Sequence, residues 1–304
     1  MEALIVPAEP RFAPAKVNLA LHVVGRRPDG YHRLESLVVF DSDAGDTITA
    51  RALADDESDR LTIDGRFARR VPMGGENIVL KAAALARTEL KRFGLDLPPL
   101  DIGLSKHLPV AAGIGGGSAD AAALLALVSS VAPPEARRAM AEACVHLGAD
   151  VPMCLVGRPA LVTGIGEEVT PIATMPRLSM LLVNPGRAVE TPAVFRMLAR
   201  PDNPPMTAAP AAGFDDVDAL VAFLAESRND LALAAGSIAP EIEAVRSRLI
   251  AAGAIFARMS GSGATVFGLF DDHKSLAEAA RMIAAEEPGW WLSHPGQATQ
   301  RNRP

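Results

Sequence analysis

Four of the five residues from Gly113 to Gly117 are glycine, and they lie between a strand-like run, Leu100–Leu108, and an alanine-rich helical run, Ser118–Val131. Each glycine costs conformational entropy on folding, so a cluster belongs where the backbone must turn tightly or approach something closely. Gly113, Gly115, Gly116 and Gly117 permit positive φ and let successive N–H groups point into one concavity. Ser118 is expected to cap the next helix, whose N-terminus carries partial positive charge. Together these features suit the phosphates of a nucleotide. The same residues also fit a plain strand-to-helix connection with a capping serine. The segment has neither the lysine of a Walker A loop nor the spacing of a dinucleotide fingerprint. A second small-residue loop, Ser260-Gly-Ser-Gly-Ala264, reads as a tight hairpin turn or as a loop facing the first across a nucleotide.

The chain has 304 residues, 49% hydrophobic and 22% charged, enough for a sizeable core and about two domains' worth of length. That profile excludes a disordered chain, a collagen-like repeat and a disulfide-stapled miniprotein. A net charge of −6 and a pI near 5.6 exclude a strongly basic nucleic-acid footprint. No apolar run is long enough to span a membrane, and Met1–Pro7 has no basic n-region of a signal peptide. Cys144 and Cys154 form no C-x-x-C pair, so neither a disulfide framework nor a zinc site is expected. His22, His107, His146, His273 and His294 show no ligand spacing. The expectation is a cytoplasmic globular protein with no membrane or nucleic-acid partner.

The first hundred residues read mainly as strands, at Lys16–Gly25, Leu34–Asp41, Asp46–Leu53 and Arg60–Asp64, with turn clusters such as Arg27-Pro28-Asp29-Gly30 between them. Apolar spacing predicts a helix over Asn77–Phe93, with Val79, Ala83, Leu85, Leu90 and Phe93 on one face and Gly94 as its stop. Helices are expected at Ser118–Val131 and Pro134–Leu147, then strands at Pro152–Val156, Ala160–Gly164 and Glu168–Ile172. A strand at Leu178–Asn184 precedes a proline-rich stretch, Pro201–Pro210, the best internal linker. Helices at Val217–Glu226 and Glu241–Ala252, a hairpin over Ile255–Phe270 and a helix from Ser275 complete the pattern, and Gly296–Pro304 reads as a disordered tail. Strands and helices mix without regular βαβ alternation, which argues α+β. A domain boundary is expected near Ala173, giving residues 1–173 and 174–304.

Four segments, in order from about residue 11 to residue 270, together resemble the GHMP kinases, the superfamily of galactokinase and of homoserine, mevalonate and phosphomevalonate kinases. They are Ala13-Pro-Ala-Lys-Val-Asn-Leu19 with Asp29-Gly-Tyr-His32, Pro109–Ala119, Leu147-Gly-Ala-Asp-Val-Pro152 and Met259-Ser-Gly-Ser-Gly-Ala264. The pairing of the first and third segments is similar to the branch that uses ATP to phosphorylate the 2-hydroxyl of 4-CDP-2-C-methyl-D-erythritol in the non-mevalonate isoprenoid route. The resemblance implies a ribosomal-S5-like N-terminal domain and a ferredoxin-like C-terminal domain with the active site between them. Two positions depart from the pattern. Ala111 and Ala112 stand where a longer glycine run is common, and Ala119-Asp120 follow Ser118 where a Ser-Asn pair is common. Asp120 near phosphates is repulsive unless it faces away.

By this resemblance Pro109, Val110, Ala111, Ala112, Gly113, Ile114, Gly115, Gly116, Gly117, Ser118 and Ala119 bind ATP, and Asp150 is the catalytic base. Without the resemblance, Asp150 also fits an ordinary turn residue between Gly148 and Pro152. Lys16, otherwise a strand-end lysine in solvent, is implied to pair with Asp150 and to neutralise charge on the transferring group. Asn18, two residues along an extended strand, shares the face of Lys16 and orients Asp150 or the substrate hydroxyl. Tyr31, the sole tyrosine, and Phe195 are implied to sandwich the cytosine, with His32 at the base edge and Thr191 against the substrate. Taken alone, Tyr31 fits a half-buried aromatic near a turn. No dedicated metal site is visible, and Mg²⁺ is expected to ride on the ATP phosphates and water. The alternatives are a small-alcohol GHMP kinase of homoserine or mevalonate type, and a catalytically silent nucleotide sensor. Retention of both Lys16 and Asp150 argues against the sensor. The chain is expected to be a monomer or weak homodimer.

Overall fold

The computed structural model describes residues 2–4, 6–210 and 212–293. In chain order the elements run β1 (Glu2–Ala3), β2 (Arg11–Arg26), β3 (His32–Ala52), β4 (Arg60–Asp64), α1 (Ile78–Lys91), β5 (Leu95–Asp96) and β6 (Leu100–Ser105). Next come α2 (Gly116–Val131), α3 (Pro134–Ala143), α4 (Val151–Val156), β7 (Ala160–Thr163), β8 (Glu168–Pro171) and β9 (Ser179–Asn184). The last group is α5 (Thr191–Arg196), α6 (Val217–Glu226), α7 (Ala232–Ile238), α8 (Glu241–Ala251), β10 (Phe256–Met259), β11 (Val266–Phe270), α9 (His273–Glu286) and β12 (Trp291–Leu292). Both sheets and helices are present without alternation, an α+β pattern. The tail Gly296–Pro304 lies outside the described residues.

The described residues form two compact units, each drawn from separated stretches of chain. The first holds the residues up to Ala15, then Gly45–Val110 and Gly115–Gly157; the second holds Lys16–Ala44, Ala111–Ile114 and the chain from Arg158. The expected boundary at Ala173 falls inside the second unit.

In the first unit the end of β3 pairs antiparallel with β6, from Thr47 opposite Ser105 to Ala52 opposite Leu100, and β4 pairs parallel with β6. Along β6, Leu100, Ile102 and Leu104 are buried and alternate with half-buried residues, the period-2 signature of a strand with one face in the core. Asn77 caps α1 by accepting the Val79 N–H at 2.8 Å, the preferred role of Asn at a helix start. The buried stripe of α1 is Val79, Ala82, Ala83, Ala86 and Leu90. Phe93, expected on that face, lies past the helix end and is exposed. The alanines let α1 pack against α2 and α3, while α2 also touches α4.

In the second unit, β10, β11, β9 and β12 form an antiparallel sheet covered by α8 and α9. Its core joins Leu181 and Val183 of β9 and Val266 and Phe270 of β11 to Val245, Leu249, Leu276 and Ile283. Burial of each such side chain contributes roughly 1.5–3 kcal/mol. The stretch Pro201–Pro210 is not a free linker. The Asn203 N–H donates to Val23 O at 3.1 Å, the Met206 N–H to Glu35 Oε2 at 2.6 Å and Arg228 to Pro204 O at 2.8 Å. Val23 lies on β2, Glu35 on β3 and Arg228 between α6 and α7, and together they supply bonds that a proline-rich segment cannot make within itself.

Three other expectations change. Leu34–Asp41 and Asp46–Leu53 are one continuous strand, β3. Pro152–Val156 is helical: Pro152 occupies the first turn of α4, where its missing N–H costs nothing, and Gly157 at φ +60° ends it. The helices α5 and α7 were not expected at all.

Candidate active site

The glycine loop begins where β6 ends. Ala111, Gly113 and Gly115 adopt positive φ, at +53°, +75° and +63°. Gly116 and Gly117 are helical, the first two residues of α2, so φ does not require glycine there, and at Gly116 an added Cβ would lie only 3.2 Å from Lys106 Nζ. Gly115 in the left-handed region is the helix cap, and no side chain caps α2. Ser118 therefore lies inside the first turn and is not the expected N-cap, because Gly115 turns the chain into the helix three residues earlier. The first-turn N–H groups of Gly116, Gly117 and Ser118 belong to the set a helix cannot satisfy internally, and they sit at the positive end of its dipole.

Asp120, one turn further along α2, turns its carboxylate to Lys106. Its Oδ2 accepts from Lys106 Nζ at 2.5 Å, and Lys106 also reaches Asp46 Oδ2 at 2.5 Å. All three are buried. Burial pushes the Asp120 carboxyl up to about 7, Lys106 opposes this, and the second carboxylate of Asp46 adds to it. Burial alone would lower the Lys106 pKa, but Asp120 and Asp46 outweigh it and hold the ammonium charged. Also in the first unit, Asp150 is the half-buried residue that opens α4, and its carboxylate does not cap that helix.

In the second unit Lys16, Asn18 and Ser36 form a buried polar line. Lys16 Nζ donates to Asn18 Oδ1 at 2.8 Å, Asn18 Nδ2 to Ser36 Oγ at 2.7 Å, and Ser36 Oγ to Ala20 O at 2.6 Å. The shared face of Lys16 and Asn18 is the one their spacing predicts. Ser260 Oγ accepts the Asn18 N–H and donates to Gly113 O, both at 3.0 Å. The Ala111–Ile114 segment is held by Val189 N to Ala111 O, Thr265 N to Ala112 O and Lys16 N to Ile114 O, at 2.9, 3.2 and 2.9 Å. Gly113 of the first small-residue loop thus touches the second loop directly. A Cβ on Gly113 would collide with Ser260 O and lie 2.6 Å from Gly263 N, so only glycine fits there. Asn229 Nδ2 secures the second loop through Met259 O and Gly261 O, at 2.8 and 2.9 Å.

Also in this unit, Tyr31 ends the turn Arg27–Gly30, with Gly30 at φ +92° and the Tyr31 N–H donating to Asp29 Oδ1 at 3.2 Å. Its side chain is exposed, at 59%. The next residue, His32, stacks on Phe195 of α5 with centroids 4.8 Å apart and planes 20° from parallel. The ring against Phe195 is therefore the imidazole, while the phenol of Tyr31 faces outward. Partial burial and then Arg26 lower the His32 pKa, which keeps the ring neutral with one donor and one acceptor nitrogen. Thr191, the first residue of α5, shares a 2.7 Å hydrogen bond with Ser262.

Known proteins place this arrangement. The GHMP kinase N-terminal domain model matches residues 77–158, and the GHMP kinase C-terminal model matches residues 208–288. A protein of Brucella melitensis named 4-diphosphocytidyl-2-C-methyl-D-erythritol kinase is 48% identical over 290 residues, covering 94% of each chain. One of the same name from Sinorhizobium medicae is 49% identical, with 92% of each covered. A crystal structure of 4-(cytidine 5'-diphospho)-2C-methyl-D-erythritol kinase superposes with a TM-score of 0.71 at 34% identity, covering 93% of this chain and 98% of that one. The chain belongs to the 4-diphosphocytidyl-2-C-methyl-D-erythritol kinase family of GHMP kinases.

As a member of this family it is an ATP-dependent kinase. A homoserine kinase structure from Cytophaga hutchinsonii, 18% identical with a TM-score of 0.63 and 93% of each chain covered, shares the fold. Among the residues expected from sequence, the structure joins Lys16 to Asn18 and His32 to Phe195, and it puts Gly116–Ala119 on α2 and Asp150 at the start of α4, two helices that pack together. Sequence reasoning missed Ser36, Asn229 and the Lys106–Asp46 pair, and it singled out the loop of Ser260 without giving that side chain a role. Lys106 stands two residues before the Leu108-Pro109 that opens the glycine loop, the one local hint of its role. Asp46, 60 residues away, carries no such hint. Among the described residues no helix is long and apolar enough to cross a membrane.

Proposed function

We propose that the chain transfers the γ-phosphoryl group of ATP to the 2-hydroxyl of 4-CDP-2-C-methyl-D-erythritol. The observation that carries this reading is 48% identity over 94% of both chains with relatives named for that activity, together with the motif residues that match it. The hydroxyl oxygen forms the new P–O bond, the bond from the γ-phosphorus to the β–γ bridging oxygen breaks, and ADP leaves. Asp150 takes the hydroxyl proton. That hydroxyl sits on a fully substituted carbon, which is crowded and weakly acidic, so a positioned base matters more than for a primary alcohol. Lys16, oriented by Asn18, offsets negative charge as the phosphoryl group moves.

Pro109–Ala119 holds the nucleotide, with the free N–H groups of the first α2 turn toward the phosphates. The substrate is MgATP. Mg²⁺ travels on phosphate oxygens and water. Tyr31, His32 and Phe195 take the cytosine and Thr191 contacts the substrate. His32, neutral by its lowered pKa, offers the base edge a hydrogen bond. Such an enzyme acts in the cytoplasm as a monomer or weak homodimer. The test is ADP release with CDP-methylerythritol, mevalonate and homoserine offered separately. Turnover with the cytidine compound alone is expected, and turnover of either small alcohol at a comparable kcat/KM would overturn the assignment.

A further inference from the structure

Three ionisable side chains lie packed together beneath the glycine loop, in a place where apolar residues would be cheaper. Lys106, Asp46 and Asp120 carry two carboxylates against one ammonium, and Asp120 Oδ1 is buried with no hydrogen-bond partner among the described residues. Replacing such buried charges by apolar groups is often neutral or stabilising, so stability alone does not account for the cluster. Its connections do. Asp46 Oδ1 accepts the N–H groups of His107 and Leu108, at 2.6 and 2.8 Å, the two residues that lead into the loop. Asp120 lies in α2, which leads out of it. Lys106 joins the two carboxylates. Its own backbone is fixed by the end of β4, with Lys106 N donating to Asp64 O at 2.8 Å and Phe67 N donating to Lys106 O at 3.0 Å. The cluster also touches the loop's exit: a Cβ on Gly116 would lie 3.2 Å from Lys106 Nζ and 3.5 Å from Asp46 Oδ2.

We infer that Lys106, Asp46 and Asp120 are positioning residues for the nucleotide, a buried staple that ties the two ends of the glycine loop together. A loop held at both ends gives up less conformational freedom when phosphates bind, and the difference appears as affinity. The inference rests on reading that loop as the phosphate cradle. It adds that nucleotide affinity is set partly by side chains that never touch ATP. It also gives the departure at Asp120 a use, since the carboxylate is turned to Lys106 and not to the phosphates.

The experiment is titration calorimetry of the full-length chain with ADP, alongside kcat and both KM values. Asp120→Ala is expected to weaken ADP about 10-fold and to raise KM for ATP similarly, with KM for the acceptor within about 2-fold. Asp120→Asn still accepts from Lys106 and is expected to restore affinity to within about 3-fold. If Asp120→Ala does not fold, Asp120→Ser, too short to reach Lys106, carries the same comparison. Wild-type ADP affinity in the truncated variant, equal losses for both substrates, or no recovery with Asn would each overturn the staple. Gly116→Val in the same experiment separates the two claims. If it too leaves ADP affinity unchanged, the cradle reading falls and the staple with it; if it weakens ADP while Asp120→Ala does not, only the staple falls.

Discussion

Asp150→Asn keeps the shape of the side chain and removes its capacity to take a proton. A fall in kcat of at least the roughly 100-fold assigned to general-base catalysis is expected, with KM for ATP little changed, and steady-state kinetics on both substrates measures it. Tyr31, exposed on its turn, is free of any core role, so Tyr31→Ala should leave the melting temperature in place. Loss of base stacking is worth about 1–3 kcal/mol, which is about 5- to 150-fold in kcat/KM, borne by KM for the cytidine substrate and not by ATP. Equal effects on both substrates would reject the nucleobase role. Asp120 gives a pH signature. Its folded pKa of about 7 lies above the ordinary 3.8, so the protonated form favours folding. That contribution is complete below the unfolded pKa and is lost as pH rises through the folded one. Between about pH 4 and about pH 7 the wild type should therefore lose thermal stability relative to Asp120→Asn, whose amide does not titrate; parallel melting curves in the two proteins would contradict this. At this scale the sequence showed Lys16 with Asn18 through simple strand period. It did not show Lys106 with Asp46, because a buried ion pair across 60 residues leaves no local pattern.

Three of the helices that sequence reasoning found carry a clear cap. Asn77, Asp216 and Asp272 start α1, α6 and α9, each accepting a first-turn N–H. It failed where short apolar runs admit two readings. Val151–Val156 is such a run, and the proline and glycine that flank it decide for a helix only once they are read as first-turn proline and terminal glycine. Ser118 was placed as a cap by residue type, while Gly115 takes that position by conformation. Gly116 is helical, and valine there would push a branched side chain toward Lys106 Nζ, 3.2 Å from the first added carbon. Gly116→Val is expected to weaken ADP binding on the order of 10-fold while largely preserving the fold, since overpacking of this kind costs about 1–3 kcal/mol. Calorimetric titration with ADP checks it, and unchanged affinity would contradict the phosphate-cradle reading.

At the scale of the chain, length indicated two units but composition did not mark where they part. The chain passes from one unit to the other after Ala15, Ala44, Val110, Ile114 and Gly157. Two of those points lie inside β2 and β3, where an unbroken strand pattern carries no sign of a boundary. Pro201–Pro210 looked like a joint from its prolines, yet its backbone groups are bonded to Val23 and Glu35. What was legible at this scale was the order of four small motifs, and the relatives match the chain over nearly its whole length. The proposal that the phosphoryl group goes to the 2-hydroxyl of CDP-methylerythritol is tested most directly by phosphorus NMR of the reaction mixture. The 2-carbon bears no hydrogen, so a phosphomonoester there shows no three-bond proton splitting, whereas one on the 1- or 3-hydroxyl is split by the hydrogens on its carbon. One unsplit phosphomonoester signal growing in step with ADP is expected; a split signal, or ADP with inorganic phosphate alone, would contradict it.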